Sequence, residues 1–358
     1  MRVQVLPGAF KNKMEKIKIA FFETEDWEKE YLENHLKNFD IIFFKDKINS
    51  LTFKKIKDVN ILSTFIYSKI DKKVLNSLKN LKYITTRSTG FDHIDLKSCK
   101  RKNILVSNVP TYGENTVAEH TFALILTLSR KIYPAVERVK RGDFSLDNLT
   151  GFDLKNKTLG VIGVGHIGKN VIKIAKGFQM KILAYDIIEN KKLAKKMGFR
   201  FVSFEDLLKN SDIVTLHVPY NKKTHHLINI KNLKLFKKGA ILINTSRGGI
   251  CDATTLVKGI KENIFSGLGL DVLEEESFIK EERELLSSIF RKKTNLKSSY
   301  ESLKTALENH MLINQENVII TPHNAFNSQE SLTKISETTV KNIKSFIKGK
   351  PINLVIKK

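Results

Sequence analysis

Two cysteines, six prolines and one tryptophan among 358 residues set aside several kinds of protein. Cys99 and Cys251 cannot build a disulfide framework, and neither stands at metal-ligand spacing from a partner, so no metal is expected. No apolar run approaches the roughly 18–20 residues that span a bilayer, so no membrane is expected. The longest such runs, around 122–128, stop well short. The first residues lack the apolar centre of a secretory signal, and Pro7-Gly8 interrupts them. Met14 precedes a strand-like run from Ile17 to Phe22, so residues 1–13 read as an upstream extension outside the fold. Acidic residues are also in deficit, 38 against 62 basic, which leaves a net charge of +24. Such a balance suits nucleic-acid binding, where phosphate neutralisation dominates affinity. However, only 10 of the basic residues are arginine, and the lysines are scattered in pairs such as Lys54-Lys55 and Lys191-Lys192. With no block of like charge and no zinc-finger or aromatic RNA-binding motif, they read as solvated helix faces. Specific nucleic-acid recognition is not expected.

What is present is material for two domains. Hydrophobic residues make up 41% and charged residues 28%, which excludes a largely disordered chain. Short apolar strands are predicted over 17–22, 40–44, 60–65 and 82–86, with helical patterns at 25–37 and 72–81 between them. From Lys157 the alternation restarts, with strands over 158–162, 181–185, 213–217, 240–243 and 318–321 and a helix over 166–178. Strands alternating with helices argue for parallel βαβ units. A long apolar helix is predicted over 116–131, a charged helical excursion over 278–312, and a closing helix near 332–348.

Gly163-x-Gly165-x-x-Gly168 falls between a predicted strand and a predicted helix. The first glycine permits a tight turn, the second lets the backbone approach a pyrophosphate, and the third lets helix and strand pack closely. The helix N-terminus, at His166 and Ile167, adds donors and partial positive charge. The next strand ends in Asp186, placed to accept from ribose hydroxyls and to repel a 2′-phosphate, which favours NAD over NADP.

Five further segments carry a resemblance: Arg87-Ser-Thr-Gly90-Phe-Asp92-His-Ile-Asp95, Val109-Pro-Thr-Tyr112-Gly with Val117-Ala-Glu119-His120, Asn244-Thr-Ser-Arg247-Gly-Gly, Leu270-Asp271-Val-Leu-Glu-Glu-Glu276, and Thr321-Pro322-His323. In this order they resemble the D-isomer-specific 2-hydroxyacid dehydrogenases, closest to the D-lactate dehydrogenase branch. The likeness implies two doubly wound α/β domains with a cleft between them. One is a flavodoxin-like substrate domain of residues 1–112 and 327–358, and the other a Rossmann-type dinucleotide domain of 113–326. Closure about hinges near Gly113 and Phe326 is implied.

The resemblance also implies roles. Arg247 binds the substrate carboxylate and polarises the keto group, His323 carries the proton, and Glu276 hydrogen-bonds that histidine. A neighbouring glutamate in the run Glu274–Glu276 is an alternative partner. Asp271, Thr245 and Ser246 lie on the cofactor side, and Val218, Pro219 and Thr224 form the turn under the adenosine. Thr89 and Gly90 offer donors to the carboxylate, with Tyr112, Phe326 and Tyr67 walling the pocket. The residue types suit the chemistry. An arginine fork grips a carboxylate as lysine cannot, and a histidine titrates near working pH. The expectation is a cytoplasmic NAD enzyme interconverting D-lactate and pyruvate, dimerising through the helix from Val117 to Lys131. Alternatives are glyoxylate, hydroxypyruvate or a bulkier keto acid as substrate, or an NAD-sensing corepressor-like binding protein. His217, His225 and His226 read as structural or exposed.

Overall fold

A computed structural model describes residues 17–49, 51–274 and 296–355, without the side chains of 296–302. The expected extension over 1–13, Glu276 and the 278–295 part of the charged excursion lie outside the described residues. The chain divides into two compact units, Met1–Tyr112 with Ser328–Lys358, and Gly113–Asn327.

The first unit is built on β1 (Lys18–Phe21), β2 (Asp40–Phe43), β3 (Ile61–Thr64), β4 (Tyr83–Thr86) and β5 (Leu105–Ser107). They pair in the order β2-β1-β3-β4-β5, all parallel. This is the flavodoxin-like order. Strands covered on both faces read as unbroken apolar runs, and every residue of β3 and β4 is buried. The helix Gln329–Ile347 closes one face. Its Val340 and Ile343 pack with Ile19, Phe21 and Tyr83, and Phe346 stacks on Tyr83 with ring centroids 4.2 Å apart.

In the second unit the strands are β6 (Thr158–Ile162), β7 (Lys181–Tyr185), β8 (Arg200–Phe201), β9 (Ile213–Leu216), β10 (Ala240–Asn244), β11 (Phe265–Leu270) and β12 (Val318–Ile320). All are parallel, in the order β12-β11-β10-β9-β6-β7-β8. The order reverses at β6, between β7 and β9. In such sheets ligands bind outside the carboxyl ends of the strands at that switch point.

This packing bears on the helix expected to carry a second copy. The helix Glu114–Ser129 buries Ala118, Phe122, Leu124 and Ile125 in the core of its own unit. A Cβ placed on Gly269 of β11 would meet Leu124 at 3.1 Å, so this helix lies directly on the sheet. Its exposed residues are Asn115, Glu119 and Ala123, which make no apolar face for a second copy. A cluster of exposed apolar side chains lies instead on the next helix, Ile132–Lys140, and the loop after it.

Candidate active site

Every described candidate of the second unit sits in a segment that leaves the carboxyl end of a strand. After β6, Gly163 takes a left-handed φ of +95°, and a Cβ there would lie 2.4 Å from the His217 carbonyl oxygen. Gly168 is closed in the same way, since its Cβ would fall 2.0 Å from the Gly163 carbonyl oxygen. Gly165 differs, for nothing stands within 4 Å of where its Cβ would be. It is the N-cap of the helix His166–Gly177 and has no side-chain cap, so the helix presents bare N–H donors. His166 is exposed, while Ile167 packs against the core beneath.

Asp186, just past β7, ties this turn to the sheet. Its Oδ2 accepts from the Val164 N–H at 2.7 Å and its Oδ1 from the Ile188 N–H at 3.0 Å. A carboxylate oxygen has more than one acceptor site, so the same group can receive a ribose hydroxyl. The turn after β9 lies beside the glycine loop, with Val218 Cγ1 3.0 Å from the position of a Gly163 Cβ. The Thr224 hydroxyl donates to the Pro219 carbonyl at 2.6 Å and holds that turn. A dinucleotide fits these features. Two glycines close the turn, one leaves the backbone approachable, the helix end is uncapped, and an acid stands at the next strand.

The ends of β10, β11 and β12, three neighbours in the sheet, carry the remaining candidates. After β10 the Ser246 hydroxyl donates to the Leu216 carbonyl at 2.6 Å, and the buried Thr245 hydroxyl pairs with Thr121 at 3.1 Å. Asn244 donates to the Arg247 carbonyl at 2.9 Å, and the half-buried Arg247 guanidinium donates to the Ser246 carbonyl at 2.8 Å. The glycine after it is obligatory, because a Gly248 Cβ would strike the Leu273 carbonyl at 2.0 Å.

After β11, Asp271 is buried and fully engaged. Its carboxylate accepts from the Thr321 hydroxyl at 2.6 Å, the Asn324 N–H at 2.9 Å and the Ala325 N–H at 3.0 Å. Its carbonyl accepts from the His323 N–H at 2.9 Å. Thus Asp271, expected beside the cofactor, braces the turn after β12. That turn holds His323 at φ +57°, a left-handed conformation costly outside glycine and asparagine. Phe326 is half-buried in the same turn.

Sequence reading attached no role to His120. Its Nε2 lies 3.0 Å from the Thr321 hydroxyl and 3.5 Å from Asp271, completing the brace from the helix Glu114–Ser129. The only signal was a histidine in an apolar helix and a threonine before Pro322. Glu276 is outside the described residues. The neighbouring Glu274 places one carboxylate oxygen 2.5 Å from His226 Nε2 and accepts from the Ala253 N–H with the other. His217 is kept neutral, with burial pushing its pKa down to about 3.

Among the candidates of the first unit, the Thr89 hydroxyl donates to the Val109 carbonyl at 3.0 Å and the Gly90 carbonyl accepts from Ser88 at 2.6 Å. Tyr67 is partly exposed, its N–H held by Glu23 at 2.6 Å. Tyr112 is half-buried, its carbonyl accepting from Ser331 at 3.0 Å.

A switch-point glycine loop backed by an acid, beside strand ends carrying an arginine and a braced histidine, defines a dinucleotide-dependent dehydrogenase. The comparisons make the class specific. Residues 122–325 match the family model described as D-isomer specific 2-hydroxyacid dehydrogenase, NAD binding domain. A 2-hydroxyacid dehydrogenase homolog of Haemophilus influenzae is 35% identical over 93% of this chain and 97% of its own length. A glyoxylate reductase of Thermococcus litoralis is 35% identical over 90% of this chain and 92% of its own. The solved structure of Aquifex aeolicus D-lactate dehydrogenase, complexed with NAD and lactic acid, aligns with a TM-score of 0.84 and 38% identity. That alignment covers 95% of this chain and 99% of the other. The chain belongs to the D-isomer-specific 2-hydroxyacid dehydrogenase family and is an NAD-dependent enzyme of that class.

Proposed function

We propose that this enzyme interconverts D-lactate and pyruvate, in the cytoplasm and as a homodimer. Arg247 forks onto the substrate carboxylate and draws negative charge toward the keto oxygen. His323 gives that oxygen its proton in reduction and takes it back in oxidation, help worth about 10²–10⁴-fold. Asp271 and His120 fix the turn carrying His323, and Glu276 is its acidic partner. NAD held there would supply the hydride chemistry at the substrate carbon. Gly163, Gly165, Gly168, the N–H groups at His166 and Ile167, Asp186, Val218, Pro219, Thr224, Thr245 and Ser246 form its binding surface. The substrate contacts are Thr89, Gly90, Tyr112 and Tyr67 of the first unit, the substrate domain, with Phe326 of the second, the dinucleotide domain.

One observation carries the reading. Arg247 leaves β10, Asp271 leaves β11 and the Asp271-braced His323 leaves β12, three consecutive strands of the same sheet that carries the glycine loop. D-Lactate is favoured by the likeness to a dehydrogenase solved with lactic acid and by aromatic residues suited to a small pocket. The test follows NADH oxidation with pyruvate, glyoxylate, hydroxypyruvate and branched 2-keto acids, with NADPH in parallel. Pyruvate is expected to give the highest kcat/KM. A clear preference for another acid rejects the assignment to lactate, and an NADPH preference rejects the role given to Asp186.

The second copy docks on the helix Ile132–Lys140. Ile132, Val136 and Val139 follow a helical repeat on one face, with Tyr133 exposed beside them and Phe144 and Leu146 exposed in the loop beyond. Such clustering marks an interaction surface. Light scattering at the mass of two chains is expected, falling to one in Val136→Asp.

A further inference from the structure

The turn after β9 carries two adjacent histidines, and the segment after β11 carries Glu274. One ring nitrogen of His225, one of His226 and one carboxylate oxygen of Glu274 all lie within 4.8 Å of one another. We propose that this trio is a binding site for a transition-metal dication of the zinc type, distinct from the residues assigned to NAD and substrate.

The donor set is the first argument. Two imidazoles and a carboxylate suit borderline cations such as Zn²⁺, whereas Mg²⁺ and Ca²⁺ favour oxygen ligands throughout. The support around the donors is the second. Ligating histidines ordinarily give their other nitrogen to an outer hydrogen-bond partner, and His225 Nδ1 lies 3.1 Å from the Tyr220 hydroxyl. The two imidazole rings stack with centroids 3.8 Å apart. Glu274 is fixed from two directions, its second oxygen accepting from the Ala253 N–H at 3.2 Å and its carbonyl from Asn309 at 2.8 Å. His226 is held at φ +48°, with its N–H on the Gly249 carbonyl at 2.9 Å. His225 is exposed and the other two are half-buried, so an ion can enter and keep water at its open position.

The movement required is small. Bonds of about 2.0–2.1 Å in a tetrahedral arrangement set donors about 3.3 Å apart. His226 and Glu274, now 2.5 Å apart, must open by under about 1 Å, and His225 must close by about 1.5 Å at most. The ion would join two segments that meet under the Arg247 turn. A Cβ on Gly248 would strike Leu273, and one on Gly249 would lie 2.9 Å from the Tyr220 ring. Occupancy therefore stiffens the base of that turn.

The experiment uses tag-free, chelator-washed protein titrated with Co²⁺, followed by calorimetry and by the visible absorption of the bound ion. One ion per chain is expected, with micromolar affinity and the bands of a four- or five-coordinate site. Saturating Zn²⁺ should raise the melting temperature by a few degrees through mass action. His225→Gln and Glu274→Gln should each weaken binding at least tenfold, and metal-free His225→Gln should keep wild-type NADH oxidation. No uptake at sub-millimolar Co²⁺ overturns the proposal. Equal uptake by both variants and the wild type also overturns it, since the ion would then sit elsewhere.

Discussion

Two arginines leave the carboxyl ends of parallel strands in this molecule, and they have opposite fates. Arg87 follows β4 in the first unit, is 1% exposed, and has each guanidinium nitrogen engaged. Its Nε pairs with Glu28 at 2.7 Å, Nη2 donates to the Phe22 and Glu23 carbonyls, and Nη1 donates to Ser63. Arg247, in the turn after β10 of the second unit, is half-buried and donates to the carbonyl of its own neighbour. The same residue type at equivalent places is committed to the fold in one unit and presented at a candidate site in the other. A motif match alone does not separate the two. For Arg87 the partners settle it, since every guanidinium nitrogen is spent on groups of its own unit that lie far back in the chain.

The sharpest way to break this comparison is to remove the presented groups. Arg247→Lys keeps the charge but loses the fork, and His323→Asn keeps a residue that tolerates φ +57° but loses the proton carrier. Each is expected to lower kcat/KM for keto acid reduction by about 10²–10⁴-fold. Melting temperature and NADH affinity should stay near wild type. A comparable fall in stability would place both residues with Arg87.

The committed arginine gives the mirror result. Arg87→Met leaves Glu28 buried and unpaired, where burial already raises its pKa against the pull of the guanidinium. Removing one partner of a buried ion pair costs about 3–5 kcal/mol, read as an early transition in urea. Adding Glu28→Leu should restore part of that loss, because the uncompensated charge is gone. Unchanged unfolding in Arg87→Met would end the structural assignment.

The same division appears among the loop glycines. Gly163→Ala and Gly168→Ala meet backbone carbonyls at 2.4 and 2.0 Å, which cannot move aside as a flexible side chain would. Each should cost about 1–3 kcal/mol of stability. Gly165→Ala meets nothing and should leave stability within about 1 kcal/mol, yet weaken NADH binding measured by fluorescence titration. If all three lose stability alike, Gly165 is a packing residue and not the approach to a pyrophosphate.

How far the sequence carried follows the same line. The glycine loop, its acid and the ordered motifs were legible because each is local, a few residues with a fixed job. β11 was not anticipated, since Phe265-Ser-Gly-Leu-Gly-Leu has two glycines where strand propensity is poor. The fold needs them: a Cβ on Gly267 would press on Leu128, and one on Gly269 on Ile243. The commitment of Arg87 was hidden because Glu28 and Phe22 lie far back in the chain. The His120 brace was hidden because Thr321 is distant in the other direction. The proposed docking helix was hidden for another reason. Apolar content marks a helix as buried in something, and here the richer helix lies on its own sheet while the amphipathic one after it keeps an exposed apolar face.

The smallest expected effect sharpens the comparison within the second unit, between its braced His323 and its buried His217. His217 gives Nε2 to the Thr215 hydroxyl at 2.9 Å, while its Nδ1 is buried with no hydrogen-bond partner. Protonation would put a charge where nothing receives it, and burial accordingly lowers the pKa to about 3. The sign follows from where protons bind. Above the unfolded value of about 6.5 neither state binds one, so folding carries no penalty from this group. As pH falls below about 6.5 the unfolded chain takes the proton and the folded chain does not, so stability falls until the folded group titrates near 3. The part of the loss due to His217 should reach about 1 kcal/mol by about pH 5.5. His217→Gln keeps a side chain able to bond Thr215 but cannot titrate. The difference between the two proteins in urea unfolding from neutral to mildly acid pH should therefore widen in favour of the variant. A constant difference across that range would mean His217 is reached by water and binds its proton as freely folded as unfolded.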